Sequence, residues 1–171
     1  MQNSTNKAAI NVVTKIVIRT ASRGDAEAIA RLSGALGYEV SAEVIARRLG
    51  MVVASGSDLV VVAVRGGGEV RNSLRQSEVQ GEEVVGWLQA HAAHILESGL
   101  RVEITGMIVS PEVRRCGVGR LLVTEAERWA REKGAEVIVV RSNAQRVESH
   151  LFYPALGFRE SKRQVVYRRN F

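Results

Sequence analysis

The chain has 171 residues, enough for one domain around one core, and 46% of them are apolar. Its net charge of +6 and pI of about 10.1 suit a polyanionic ligand. Aromatics at 5% are too few for a base-stacking platform, so nucleic acid is not the expected partner. No run of 18 apolar residues is present, so no membrane span is expected. The polar start Met1-Gln-Asn-Ser-Thr-Asn-Lys offers no apolar leader. The single cysteine, Cys116, excludes an internal disulfide, fits a reducing, cytoplasmic setting and has no zinc-ligand spacing around it, so no metal is expected.

Residues 1–12 read as a loose tail and 13–171 as a single domain. Lys15 to Arg19 is β-branched and alternating, a first strand. Ser22 precedes Asp25 by three residues, a variant capping box opening a helix that carries Ala26, Ile29, Ala30 and Leu36 and stops at Gly37. A second helix starts at Ser41 with Val44, Ile45 and Leu49. Leu59 to Val64 is an unbroken apolar run, a buried strand. Gly66 to Gly81 is a polar, glycine-bearing connection. Val84 to His91 and Val102 to Val109 are a third and a fourth strand, joined as an antiparallel hairpin around Gly99. A third helix runs from Gly117 to Lys133 and stops at Gly134, and Val137 to Val140 is a fifth strand. Strand, helix and strand in that order imply a right-handed parallel crossover. A fourth helix covers Arg146 to Leu156. Short strands at Phe158 and Val165 to Arg169 close the chain.

The stretch from Val109 to Arg120, Val-Ser-Pro-Glu-Val-Arg-Arg-Cys-Gly-Val-Gly-Arg, leaves a strand and enters a helix over two glycines. Amides at a helix start lack partners inside the helix, and the dipole adds roughly half a positive charge there. That corner suits a phosphate, and Arg114, Arg115 and Arg120 add charge. No Lys-Ser or Lys-Thr follows Gly119, so this is not a P-loop, and Leu122 stands where a dinucleotide fingerprint needs its third glycine.

Arg114 to Gly119 fits Q/R-x-x-G-x-G/A, and Phe152 to Phe158 matches F-Y-x-x-x-G-F. With these segments, Glu103 to Phe158 resembles the GNAT family of acetyl-CoA-dependent N-acetyltransferases. The resemblance implies an α/β (α+β) fold: a mixed, mostly antiparallel sheet of about six to seven strands, splayed between strands 4 and 5 and flanked by four helices. It implies acetyl-CoA as co-substrate and a small-molecule amine as acceptor. The alternatives it leaves are a protein amine as acceptor, or a non-catalytic acyl-CoA sensor that binds a partner. A homodimer is expected by family habit.

Carried over by position, amides of Arg115, Gly117, Val118, Gly119 and Arg120 would hold the pyrophosphate, with Arg114 and Cys116 in the same loop. Met107, Ile108 and Val109 would line the pantetheine arm, and an amide there would face the thioester oxygen. Asn143, in Ser142-Asn143-x-x-Arg146, resembles the pantetheine-contacting asparagine, and Tyr153 the acid that protonates the departing thiolate. An alkylamine with a pKa near ~10.4 is protonated at neutral pH and needs a base. Glu103 is the first choice. Two-residue alternation would put it on one strand face with Thr105, Met107 and Val109, opposite Val102, Ile104 and Ile108. Glu39 comes next, then His91 and His94. His150, one helical turn from Tyr153, would tune that hydroxyl or pack.

Overall fold

The computed structural model describes residues 15–35, 37–66 and 82–171. The expected tail 1–12, nearly all of the Gly66 to Gly81 connection, and Leu36 of the first interhelical turn lie outside the described residues. The described elements are β1 (Ile16–Thr20), α1 (Ala26–Gly34), α2 (Ala42–Ala54), β2 (Asp58–Arg65), β3 (Glu83–Ile95), β4 (Gly99–Val109), α3 (Val118–Glu132), β5 (Val137–Val140) and α4 (Val147–Phe152). The chain divides into two compact units between Val139 and Val140.

The first unit is built on a sheet in the order β1-β2-β3-β4-β5. The three junctions from β1 to β4 are antiparallel. The Glu136 N–H donates to the Leu100 carbonyl at 3.4 Å, so β5 starts level with β4 and runs parallel to it. β5 has four residues and β4 eleven. Met107 to Val109 therefore extend past β5, and that edge has no strand beside it among the described residues.

Among the described residues the sheet has five strands, not six to seven. Residues 158–171 form no strand, although Val165, Val166 and Tyr167 are β-formers, and these three are 76–90% exposed. A strand needs a ladder partner for its amides and carbonyls, and propensity alone supplies none.

Two helical layers cover the sheet. Val60, Val62 and Val64 of β2, Val84 of β3 and Ile108 of β4 join Ile29 and Leu32 of α1 and Leu49 of α2 in one buried cluster. On the other face, Gly86 lies so close to α3 that an added Cβ would sit 3.4 Å from Leu122 Cδ1. Val118, Leu122, Val123 and Ala126 of α3 are essentially inaccessible. So are Leu88, Ala90 and Val102, which alternate onto the face opposite Trp87 and Val62. Each of the valine and leucine side chains contributes about 1.5–3 kcal/mol by leaving water.

A bulge decides what β4 presents. Ala90 pairs with Ile104, but Gln89 pairs with Gly106, so Thr105 is an extra residue. Simple alternation therefore fails across it. Glu103 stands opposite His91 on the α1/α2 face, whereas Met107 stands opposite Leu88 on the α3 face. Ile108, expected to share a face with Val102 and Ile104, instead joins the α1/α2 cluster.

α1 begins as the sequence predicts. The Ser22 N–H donates to Asp25 Oδ2 at 2.6 Å, and the Ser22 hydroxyl lies 3.0 Å from the same oxygen. Arg19 from β1 closes a two-pronged pair on that carboxylate, at 2.9 and 2.8 Å.

The second unit holds α4 and a 3-10 turn, Pro154–Leu156. α4 ends earlier than predicted because Pro154 has no N–H to continue it. Gly157 closes the turn at φ 93°.

Candidate functional site

The loop after β4 is locally ordered. Pro111–Val113 form a 3-10 turn, with the Arg114 and Cys116 amides returning to Pro111 and Val113 carbonyls at 3.4 Å each. Arg115 (φ 62°) and Gly117 (φ 83°) are both left-handed, and Arg115 is the one non-glycine with positive φ among the described residues. Such strain recurs at ligand-binding turns. Gly117 is the N-cap of α3, and its carbonyl accepts the Leu121 amide at 3.1 Å. The amides of Val118, Gly119 and Arg120 thus form the first turn, where no helical acceptor exists. No acidic residue occupies that turn, so the dipole there is not offset from within it. Cys116 is exposed.

Glu103, 16% exposed at its side chain, has Arg101 Nη2 at 3.5 Å from Oε2. Opposite it across the ladder is His91, and opposite His91 on β2 is Asp58. His91 Nδ1 lies 3.2 Å from Asp58 Oδ1. Gln89 Nε2 donates to the same oxygen at 3.2 Å, and Ser55 Oγ at the end of α2 lies 2.8 Å from Oδ2. The strand register thus lines up Glu103 with His91, which sequence reasoning ranked low, and with Asp58, which it missed. Asp58 gave no signal because it opens an apolar run four residues after a helix, a common turn position. His94 alternates onto the other side of β3 and is exposed. Glu39 is an exposed residue of the turn between α1 and α2.

In the second unit, the Tyr153 ring packs edge-on against Phe152 and Phe158, with centroids at 5.1 and 5.6 Å. Burial pushes its phenol above the ordinary value of 10, and nearby Arg146 offsets this only in part. The Asn143 side-chain carbonyl accepts the Gln145 amide at 2.9 Å, which leaves its NH2 for other partners. No group of three metal-ligating side chains and no helix long and apolar enough to cross a membrane occurs among the described residues.

Comparison with known proteins places this geometry. The model of the acetyltransferase (GNAT) family matches residues 74–158, a span that contains the loop, Glu103 and Tyr153. The chain belongs to that family. It is 29% identical over 90 residues to an aminoglycoside N(6')-acetyltransferase type 1 of Stenotrophomonas maltophilia, covering 50% of this chain and 59% of that one. It is 34% identical over 80 residues to an aminoalkylphosphonate N-acetyltransferase of Salmonella typhimurium, covering 46% and 52%. The chain thus spans about half to three fifths of those relatives. Among solved structures, aminoglycoside N-acetyltransferase AAC(6')-Iy in complex with CoA superposes with a TM-score of 0.76 at 18% identity, over 95% of this chain and 100% of that one. A transcriptional regulator from Bacillus halodurans gives 0.74 at 25%, over 91% and 100%. The GNAT fold follows, with the splay where β4 outruns β5.

Proposed function

We propose that the protein transfers the acetyl group of acetyl-CoA to a primary amine of a small molecule, within one domain spanning residues 13–171. The observation that carries this reading is the turn into α3. Left-handed residues at Arg115 and Gly117 lead to first-turn amides with no acid among them, beside Arg114 and Arg120. This donor set fits a pyrophosphate, and the unpaired edge at Met107 to Val109 fits an extended amide-bearing arm. Acetyl-CoA supplies the acetyl group already activated as a thioester. Glu103 draws the ammonium of the acceptor and takes its proton, directly or through water. Tyr153 gives a proton to the departing sulfur. Its phenol, raised by burial, is still protonated at neutral pH and above.

The small-amine acceptor is supported by the aminoglycoside and aminoalkylphosphonate acetyltransferases among the relatives. The test is calorimetric titration of acetyl-CoA into wild type and Gly119→Glu. Micromolar binding that the variant loses supports the reading, because a carboxylate in the first turn repels the phosphates. Absence of binding by wild type overturns it.

A further inference from the structure

Asp58, His91 and Glu103 are successive register partners on β2, β3 and β4, so they form one row straight across the sheet. We propose that this row carries the acceptor's proton away from Glu103, with His91 as the relay and Asp58 as the group that sets its ring. This rests on the acetyl-transfer reading above.

Three features support it. Directly opposite residues in an antiparallel pair have Cβ atoms about 4.5–5.5 Å apart, within reach of two long polar side chains or one bridging water. Asp58 is only 11% exposed and is anchored from two further sides, by Gln89 Nε2 and Ser55 Oγ. Fixed 3.2 Å from Nδ1, its carboxylate favours the tautomer with the proton on Nδ1, so the lone pair lies on Nε2. His91 itself is 44% exposed, so a proton received there has a path to solvent. Beside the row, Arg101 Nη2 lies 3.5 Å from Glu103 Oε2.

The step balances. An amine N–H breaks as a Glu103 O–H forms. That O–H breaks as His91 Nε2–H forms, restoring the carboxylate. The imidazolium then returns a proton to water. His91 is a positioning and relay residue, since it acts through Glu103.

The test combines thiol-release kinetics with ring-nitrogen NMR on wild type, His91→Ala and Asp58→Asn, with kanamycin and aminomethylphosphonate as acceptors. The expected result is a kcat lower by about tenfold or more in His91→Ala, partial recovery with added imidazole, and an unchanged KM for acetyl-CoA. Asp58→Asn should lower kcat in the same direction. In wild type the His91 ring should carry its proton on Nδ1, and Asp58→Asn should lose that preference. A kcat within twofold of wild type overturns the relay, as does a loss that imidazole leaves untouched or a wild-type ring protonated on Nε2. The ring measurement needs no turnover. A wild type that releases no thiol therefore counts against acetyl transfer, while the tautomer still decides the row.

Discussion

Gly106 and Trp87 lie on adjacent strands, and a Cβ built on Gly106 would come within 2.9 Å of both Cη2 and Cζ3 of the indole. The glycine sits one residue past the bulge and leaves the space that the ring occupies. Trp87 in turn packs against the α1/α2 cluster, and its indole N–H is buried with no hydrogen-bond partner. Gly106→Ala must push the ring or reopen the bulge. It should cost about 1–3 kcal/mol in urea unfolding, as overpacking does. Combined with Trp87→Leu, the cost of the alanine should shrink. A fully additive double mutant would show that the ring does not sense position 106.

Asp25 ties β1 to the start of α1. Burial opposes its ionisation most strongly, but hydrogen bonds from Arg19 and from the backbone and hydroxyl of Ser22 outweigh that, and its carboxyl is held below the ordinary 3.8. The folded state therefore binds fewer protons than the unfolded chain around that pH. The stabilisation is fully present above about pH 4–5 and is lost as pH falls through the depressed folded value. Asp25→Asn should cost about 2–3 kcal/mol at neutral pH. Chemical unfolding from pH 7 down to pH 3 should show the gap between variant and wild type closing at the acid end. A gap that stays constant would show that the carboxylate's charge is not what it contributes.

Tyr153→Phe keeps the ring packing against Phe152 and Phe158 and removes only the hydroxyl. Saturating turnover should fall about tenfold to a hundredfold, while acetyl-CoA affinity changes little. The wild-type minus variant absorbance difference should report a phenol that ionises above pH 10, as its burial dictates. Unchanged kcat would remove Tyr153 from the chemistry.

Most of the element order was legible because it rests on local signals. Helix starts at the Ser22 capping box and at Ser41, and the left-handed glycines Gly37 and Gly134 just past the ends of α1, which closes at Gly34, and α3, are written in short-range capping and glycine chemistry. The loop from Arg114 to Gly119 was legible for the same reason. What stayed hidden is non-local. Gly106 inside a strand pattern was a readable bulge signal, but only pairing with β3 shows that Thr105 is the extra residue. The meeting of Asp58, His91 and Glu103 needs the register of three strands, and no spacing along the chain encodes it. Val165 to Tyr167 misled because a β-prone run says nothing of whether a partner edge awaits it.

The bulge at Thr105 also makes β4 a rivet. Its N-terminal half sends Val102 and Ile104 into the α3 layer, and past the bulge it sends Ile108 into the α1/α2 layer. One strand thereby fastens both helical coats, and neither can peel from the sheet without loosening the segment that holds the other. The two layers should open as one cooperative unit, with the amides of β3 and β4 exchanging last and together. For the acetyl transfer proposed above, that strand is a rigid anvil beneath the co-substrate.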